Sequence, residues 1–205
     1  MTEVLAPAPT QPLRSVARRD LPVLAGFALA VFVLHVATSN IWGFHRDELL
    51  YVSLGRHLAW GYWSNPPLIG FLGTIQGLVP GSGPWLIRII PALASSAVVV
   101  TVGLMAHAFG GRRSAVVLAC LSTLLSPALV RIGVLFQPVI MDVLFWTLFT
   151  YAAVRYLNTE QPRWVWMLGA VLGIGMMNKY LIALVAISTL IVLPFTRHRS
   201  LFASK

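Results

Sequence analysis

Residues 44–68 read FHRDELLYVSLGRHLAWGYWSNPPL. They form the long polar interruption in a chain that is otherwise a succession of apolar segments. The stretch holds Asp47 and Glu48, adjacent carboxylates in a chain with only 6 acidic residues. It also holds His45, Arg46, Arg56, His57 and an Asn65-Pro66-Pro67 break. Asp47 and Glu48 can open a helix running to Trp60, with Gly61 as its stop signal. Leu50, Leu54 and Leu58 fall four apart and make one apolar stripe. After the prolines, Leu68, Phe71, Leu72, Ile75 and Val79 repeat at helical spacing. That segment is about 18 Å long, too short to cross a bilayer. Both pieces read as helices lying in the membrane interface, closed by the Pro-Gly-Ser-Gly-Pro turn at 80–84.

The flanks are membrane-like. Of 205 residues, 58% are hydrophobic and 10% charged, against about a quarter charged in soluble domains. Apolar runs over 21–42, 85–109, 114–130 and 139–156 are each long enough to span, with 131–138 as a short loop. The run 164–195 would be about 48 Å as one helix. It divides into two short spans at Asn178-Lys179. The expected fold is an all-α, polytopic membrane helix bundle of about six transmembrane helices, plus the two interfacial helices. Residues 1–20 read as a cytoplasmic arm, 21–196 as the membrane domain, and 197–205 as a cytoplasmic tail or truncation point. Six spans gather Arg14, Arg18, Arg19, Arg112, Arg113, Arg155, Arg163, Arg197 and Arg199 on one side, which the positive-inside rule makes the cytoplasm. The 44–68 loop, the 131–142 segment and Lys179 then share the outer side.

Composition also excludes. The net charge of +9 belongs to cytoplasmic loops and is no argument for nucleic acid. Cys120 stands alone in an apolar run and offers neither a disulfide framework nor a metal site. His45 and His57 lack the spacing of a zinc protease, so a divalent metal is not expected. No Gly-Lys-Ser/Thr loop is present for a nucleotide-driven pump.

The candidate site residues follow from position. The first turn of a helix favours a charged carboxylate, which can take a proton from an attacking hydroxyl; Asp47 and Glu48 read as that base, or as plain helix caps. Asp142 sits inside the fourth span, where an ionisable group is functional by default, or caps the helix at the membrane surface. Lys179, at the outer turn, faces a phosphate or snorkels. Arg88 and Arg131 suit bidentate phosphate contacts, or anchor helix ends in headgroups. Trp60, Tyr62 and Trp63 read as an interface belt rather than a sugar platform.

The loop FHRDELLYVSLGRHLAWGYWSNPPL, followed by QPVIMDVLFWTL and GIGMMNKYLIAL, resembles the polyprenyl-phosphate-dependent glycosyltransferases of the GT-C fold. The likeness is to the bacterial membrane proteins grouped with dolichyl-phosphate-mannose protein mannosyltransferases and the lipid A aminoarabinose transferase, and it covers residues 21–195. It implies a bacterial cytoplasmic-membrane enzyme with its site facing the periplasm. The partners it implies are a lipid-linked sugar phosphate as donor, a glycan, lipid or protein acceptor, and the membrane lipids. By the same resemblance Asp47 is the base or acceptor-orienting acid, with Glu48 beside it. Asp142, His45, Arg46 and Asn65 fall in positioning roles; Lys179, with Arg88 and Arg131, falls near the donor phosphate. Asn65 stands where the family pattern has His before the two prolines. One carboxylate base suffices for an inverting displacement, whereas a retaining one needs a nucleophile too. Relatives are about twice this length, so the chain reads as an amino-terminal part. The alternative reading is half of a transporter or flippase for a lipid-linked or small solute, with Asp142 and Lys179 as its site.

Overall fold

A computed structural model of the chain describes residues 20–195, and every regular element among them is helical. The arm expected over 1–20 lies outside the described residues except for Asp20, and so does the 197–205 tail. The helices are α1 (Leu21–Thr38), α2 (Arg46–Gly55), α3 (Leu68–Gly73) running into a 3₁₀ turn (Thr74–Leu78), α4 (Trp85–Ala108), α5 (Arg113–Leu124), α6 (Pro127–Gly133), α7 (Pro138–Thr159), α8 (Pro162–Asn178) and α9 (Ile182–Val192).

Prolines set four of the starts. Pro22, Pro127, Pro138 and Pro162 each stand in a first helical turn, where the missing N–H would be unpaired anyway and φ is already helical. Pro127 also ends α5, because the residue before a proline is pushed out of the helical region. Ser126 is extended (ψ 113°), and its hydroxyl accepts the Leu129 N–H to start α6. The chain bends by 60° there. Arg131, expected in a loop, is therefore on α6.

Helix α4 is the centre of the bundle, packed on α1, α5 and α7. In a bilayer, association rests on close packing and interhelical hydrogen bonds rather than on hydrophobicity. Accordingly α4 buries Ala92, Ala94, Ser95, Ser96 and Gly103. The Ser96 hydroxyl donates to Ala28 O of α1 at 3.0 Å. A Cβ on Gly103 would run into Leu24 and Cys120. At one end, Asp20 faces His107, and Asn158 of α7 donates to Ala108 O. At the other end, Arg88 meets the end of α1, and Asn178 of α8 donates to Pro138 O at the start of α7. Helices α4 and α7 are thus parallel, with α1 and α8 antiparallel to them.

Three helices, α1, α4 and α7, are long and apolar enough to cross a membrane, and α5 with α6 makes a fourth if the bent pair is one span. The expected division of 164–195 falls at Asn178, where α8 stops after 17 residues and α9 runs for 11.

The 44–68 loop departs from expectation in two ways. Helix α2 stops at Gly55 rather than Trp60. Its buried face carries Glu48 and Val52, while Leu50 and Leu58 are exposed. The stripe is broken: Leu50 faces outward opposite Glu48, Leu54 packs on the Val52, Ile69 and Phe136 cluster, and Leu58 lies past the end of the helix. Helices α2 and α3 cross at two glycines: a Cβ on Gly55 would overlap the Gly73 backbone and lie 2.6 Å from Thr74 N. Gly55→Ala should lower stability by about 1–3 kcal/mol through this overpacking, read as a lower unfolding midpoint in detergent. Gly61→Ala, with open space around its Cβ, should leave the midpoint unchanged. Equal midpoints for both variants would refute the crossing.

Candidate active site

The site begins with the start of α2. His45 has extended backbone (φ −75°, ψ 149°) and its Nδ1 accepts the Asp47 N–H at 3.3 Å. The Glu48 carboxylate reaches back to accept the His45 N–H at 2.8 Å. This is a capping box with histidine in the Ser/Thr role.

Glu48 is fully buried. Its Oε1 accepts from Arg88 Nε at 2.8 Å and from the Phe136 N–H at 3.0 Å. Its Oε2 accepts from Arg88 Nη2 at 2.6 Å as well as from His45. Burial alone pushes the Glu48 carboxyl up, but Arg88 and the two backbone N–H groups outweigh it and hold the group below the usual glutamate range. Arg88 is equally committed. Besides Glu48 it donates to Ser39 O at 2.5 Å, Trp42 O at 3.1 Å and Gly43 O at 2.9 Å. Those bonds use the whole donor set of a guanidinium, which leaves none for a phosphate.

Asp47 is one residue away and faces elsewhere. Its side chain is 34% exposed. Gln137, the N-cap of α7, donates Nε2 to Asp47 Oδ2 at 3.0 Å. The exposed Arg46 side chain donates to Oδ1 at 3.3 Å. Tyr51 lies nearby, and burial together with the Asp47 charge pushes its hydroxyl up, so it stays a neutral phenol.

Asp142 lies five residues beyond Gln137, roughly 7.5 Å along α7. Its Oδ1 is buried without a hydrogen-bond partner, the Trp146 indole N–H faces it without closing a bond, and Lys179 at the end of α8 acts on it by charge. Asn178, fully buried, ties α8 to α7 through Pro138 O at 3.0 Å. Asn65 is buried, and its bonds stay within the loop, to Ser64 Oγ and to the Tyr62 N–H. Arg131 is exposed on α6. It lines an open groove of about 830 Å³ between the end of α1 and α6, walled by Leu34, Ile41, Trp42, Val130 and Val134, with His45 on its rim.

The structure thus joins Asp47 to the α7 cap, and Asp142 to Lys179, at one end of the bundle. Gln137 was missing from the expected site residues; a polar residue directly before a helix-opening proline was its only signal. Among the described residues no cluster of three or more His, Cys, Asp or Glu suits a metal.

Residues 64–205 match the family model of dolichyl-phosphate-mannose-protein mannosyltransferase. The chain belongs to that family. No curated protein and no solved structure matches it. This mannosyltransferase family is one of membrane glycosyltransferases, whose donors are polyprenyl-phosphate-linked sugars and whose acceptors are glycans or proteins. With several apolar helices, this member is a multi-pass membrane protein. The match begins after Asp47 and Glu48 and contains Asn65, Arg88, Arg131, Asp142 and Lys179. The hydrogen bonds of Glu48 and Asp47 tie the unmatched segment to the matched one.

Removing one partner of a buried ion pair costs about 3–5 kcal/mol. Glu48→Gln and Arg88→Met should each show a loss of that order in detergent unfolding, and the double variant less than their sum. The folded-state carboxyl lies below its ordinary value of 4.5. The stability it contributes is therefore complete above about pH 4.5 and is lost as pH falls through the lower folded value. Wild type should lose stability with acid in that window, and Glu48→Gln should flatten the slope. An unchanged slope would exclude Glu48 as the titrating group.

Proposed function

We propose that the chain is the amino-terminal part of an enzyme that moves a sugar from a polyprenyl-phosphate donor to an acceptor hydroxyl, with inversion, on the outer face of a bacterial cytoplasmic membrane. The observation that carries this reading is the split of the adjacent carboxylates. Glu48 is sealed into Arg88, and Asp47 stands part-exposed two residues from His45, which lines the apolar groove. Asp47 is the base. It is within reach of solvent and substrate, and Gln137 fixes one oxygen while the carboxylate keeps lone pairs free for the acceptor proton. The donor's lipid chain lies in the groove. Arg131 and Lys179 stabilise the leaving phosphate, whose charge needs fixed cations in a site shielded from water. Asp142 positions the sugar or the acceptor beside Lys179. Arg88, first among the phosphate candidates by sequence position, instead holds the loop in place, and Glu48 is its counter-ion.

In the complete enzyme, supplied with a panel of polyprenyl-phosphate sugars, Asp47→Asn should lower kcat by about 10²–10⁴-fold with little change in donor affinity. Lys179→Ala should weaken donor binding as well. Near-normal turnover by a folded Asp47→Asn enzyme would remove Asp47 as the base.

The outer-face assignment rests on the arginines of alternate loops. In intact cells, a Cys120→Ala chain with cysteine at exposed Ser64 should label with a membrane-impermeant thiol reagent, and one with cysteine at exposed Ser114 should not. The reverse pattern would invert the orientation.

A further inference from the structure

A second polar cluster lies inside the bundle, apart from Asp47. His35 of α1 and Ser95 of α4 meet where Gly133 of α6 packs on them: a Cβ on Gly133 would overlap Ser95 Oγ and lie 2.8 Å from His35 Nε2. His35 is 4% exposed and Ser95 7%. His35 Nδ1 and Ser95 Oγ are both buried without a protein hydrogen-bond partner. Both residues line one cavity of about 20 Å³, whose other walls include Val31, Val98 and Ile140.

Each feature bears on what fits. Buried polar atoms at membrane depth need partners, because lipid supplies none. A cavity holds one water when it offers at least about 10–15 Å³ and two or more polar groups. This one meets both conditions and is too small for a larger solute. We infer that it binds a single structural water bridging His35 Nδ1 and Ser95 Oγ. The water ties α1 to α4, and Gly133 of α6 packs on the two side chains it joins. Leu34 and Val130 line both this cavity and the neighbouring groove. The bound water therefore sits beside the groove, under the short helix that carries Arg131. The site stands whether or not Asp47 is a base.

The test uses the whole chain, histidine-labelled with ¹⁵N, in lipid bilayers. Water-edited solid-state NMR reads transfer from water protons to each imidazole, and loss of one signal in His35→Phe assigns His35. Transfer to His35 is expected in wild type. Ser95→Val, whose methyls fill the cavity, should lose most of it, and Ser95→Ala, which removes one partner, should lose part. Absence of transfer in wild type overturns the proposal, as does full transfer in Ser95→Val. Should Ser95→Val not fold, the wild-type spectrum and an experimental density map decide. Density at hydrogen-bond distance from both atoms is expected; a direct His35–Ser95 hydrogen bond overturns the site.

Discussion

The buried pair of Glu48 and Arg88 organises one whole end of this protein. Taking two charges out of water is expensive, and such a pair holds together only when further hydrogen bonds use up the remaining donors and acceptors. Here they do. The guanidinium closes over three carbonyls at the end of α1, and the carboxylate takes backbone N–H groups from His45 and Phe136. Three regions far apart in sequence meet on two side chains: the α1–α2 connection, the start of α4 and the segment before α7. An apolar pair of similar volume would fill the space, but it would leave those carbonyls and N–H groups without partners. That is a reason for charge at this place even where it adds little net stability.

The pair also explains how two adjacent acids come to differ. Neighbours on a helix point about 100° apart, so turning Glu48 inward leaves Asp47 at the edge of the docked loop. There it meets Gln137, which belongs to α7, the helix that also carries Asp142. The position of Asp47 is therefore inherited from Glu48. A loop tethered only by its leucines would roll on the membrane surface and carry Asp47 with it. Exposure of Leu50 follows from the same rotation, since it lies on the face opposite Glu48 and Val52.

What the sequence made legible depended on whether the signal was local. The helix opening at the Asp-Glu pair, the turn at 80–84 and the division at Asn178 all come from short-range chemistry, and all appear in the structure. The end of α2 did not: Gly55 stops it because α3 crosses there, and no local pattern shows a crossing partner. The leucine stripe misled because four-residue spacing marks an apolar face without saying whether lipid or protein covers it. Arg88 looked like a phosphate ligand because a lone arginine near a helix end says nothing of its acceptors. Its partners lie 40 and more residues away, three of them backbone carbonyls. The bend at Ser126-Pro127 was local in origin, but an apolar run that continues past a proline reads as one span, so Arg131 was assigned to a loop rather than to a helix beside a groove.

The distribution of polar groups along the bundle points the same way. Mid-membrane, hydroxyls on α4, α5 and α7 turn back to carbonyls one turn earlier, as Thr101, Thr123 and Thr147 do. They satisfy themselves and ask nothing of a substrate. Beside the Asp47 end stands a set of groups that do not satisfy themselves. Asp142 Oδ1, Asn178 Oδ1 and the Trp146 indole are buried with unspent hydrogen-bonding capacity beside Lys179. Unspent capacity at membrane depth is unfavourable unless something supplies partners. These atoms lie where the start of α7 packs on the end of α8, within about two and a half turns of Gln137, the residue that holds Asp47. The sugar phosphate proposed as donor would bring hydroxyls and anionic oxygens in one small group, which answers donors and acceptors alike. Buried polar atoms without hydrogen-bond partners also stand at the opposite end, on Asp20, His107, Arg155 and Trp164, and inside the bundle at His35 and Ser95; the set around Asp142 is the one that adjoins the residue holding Asp47.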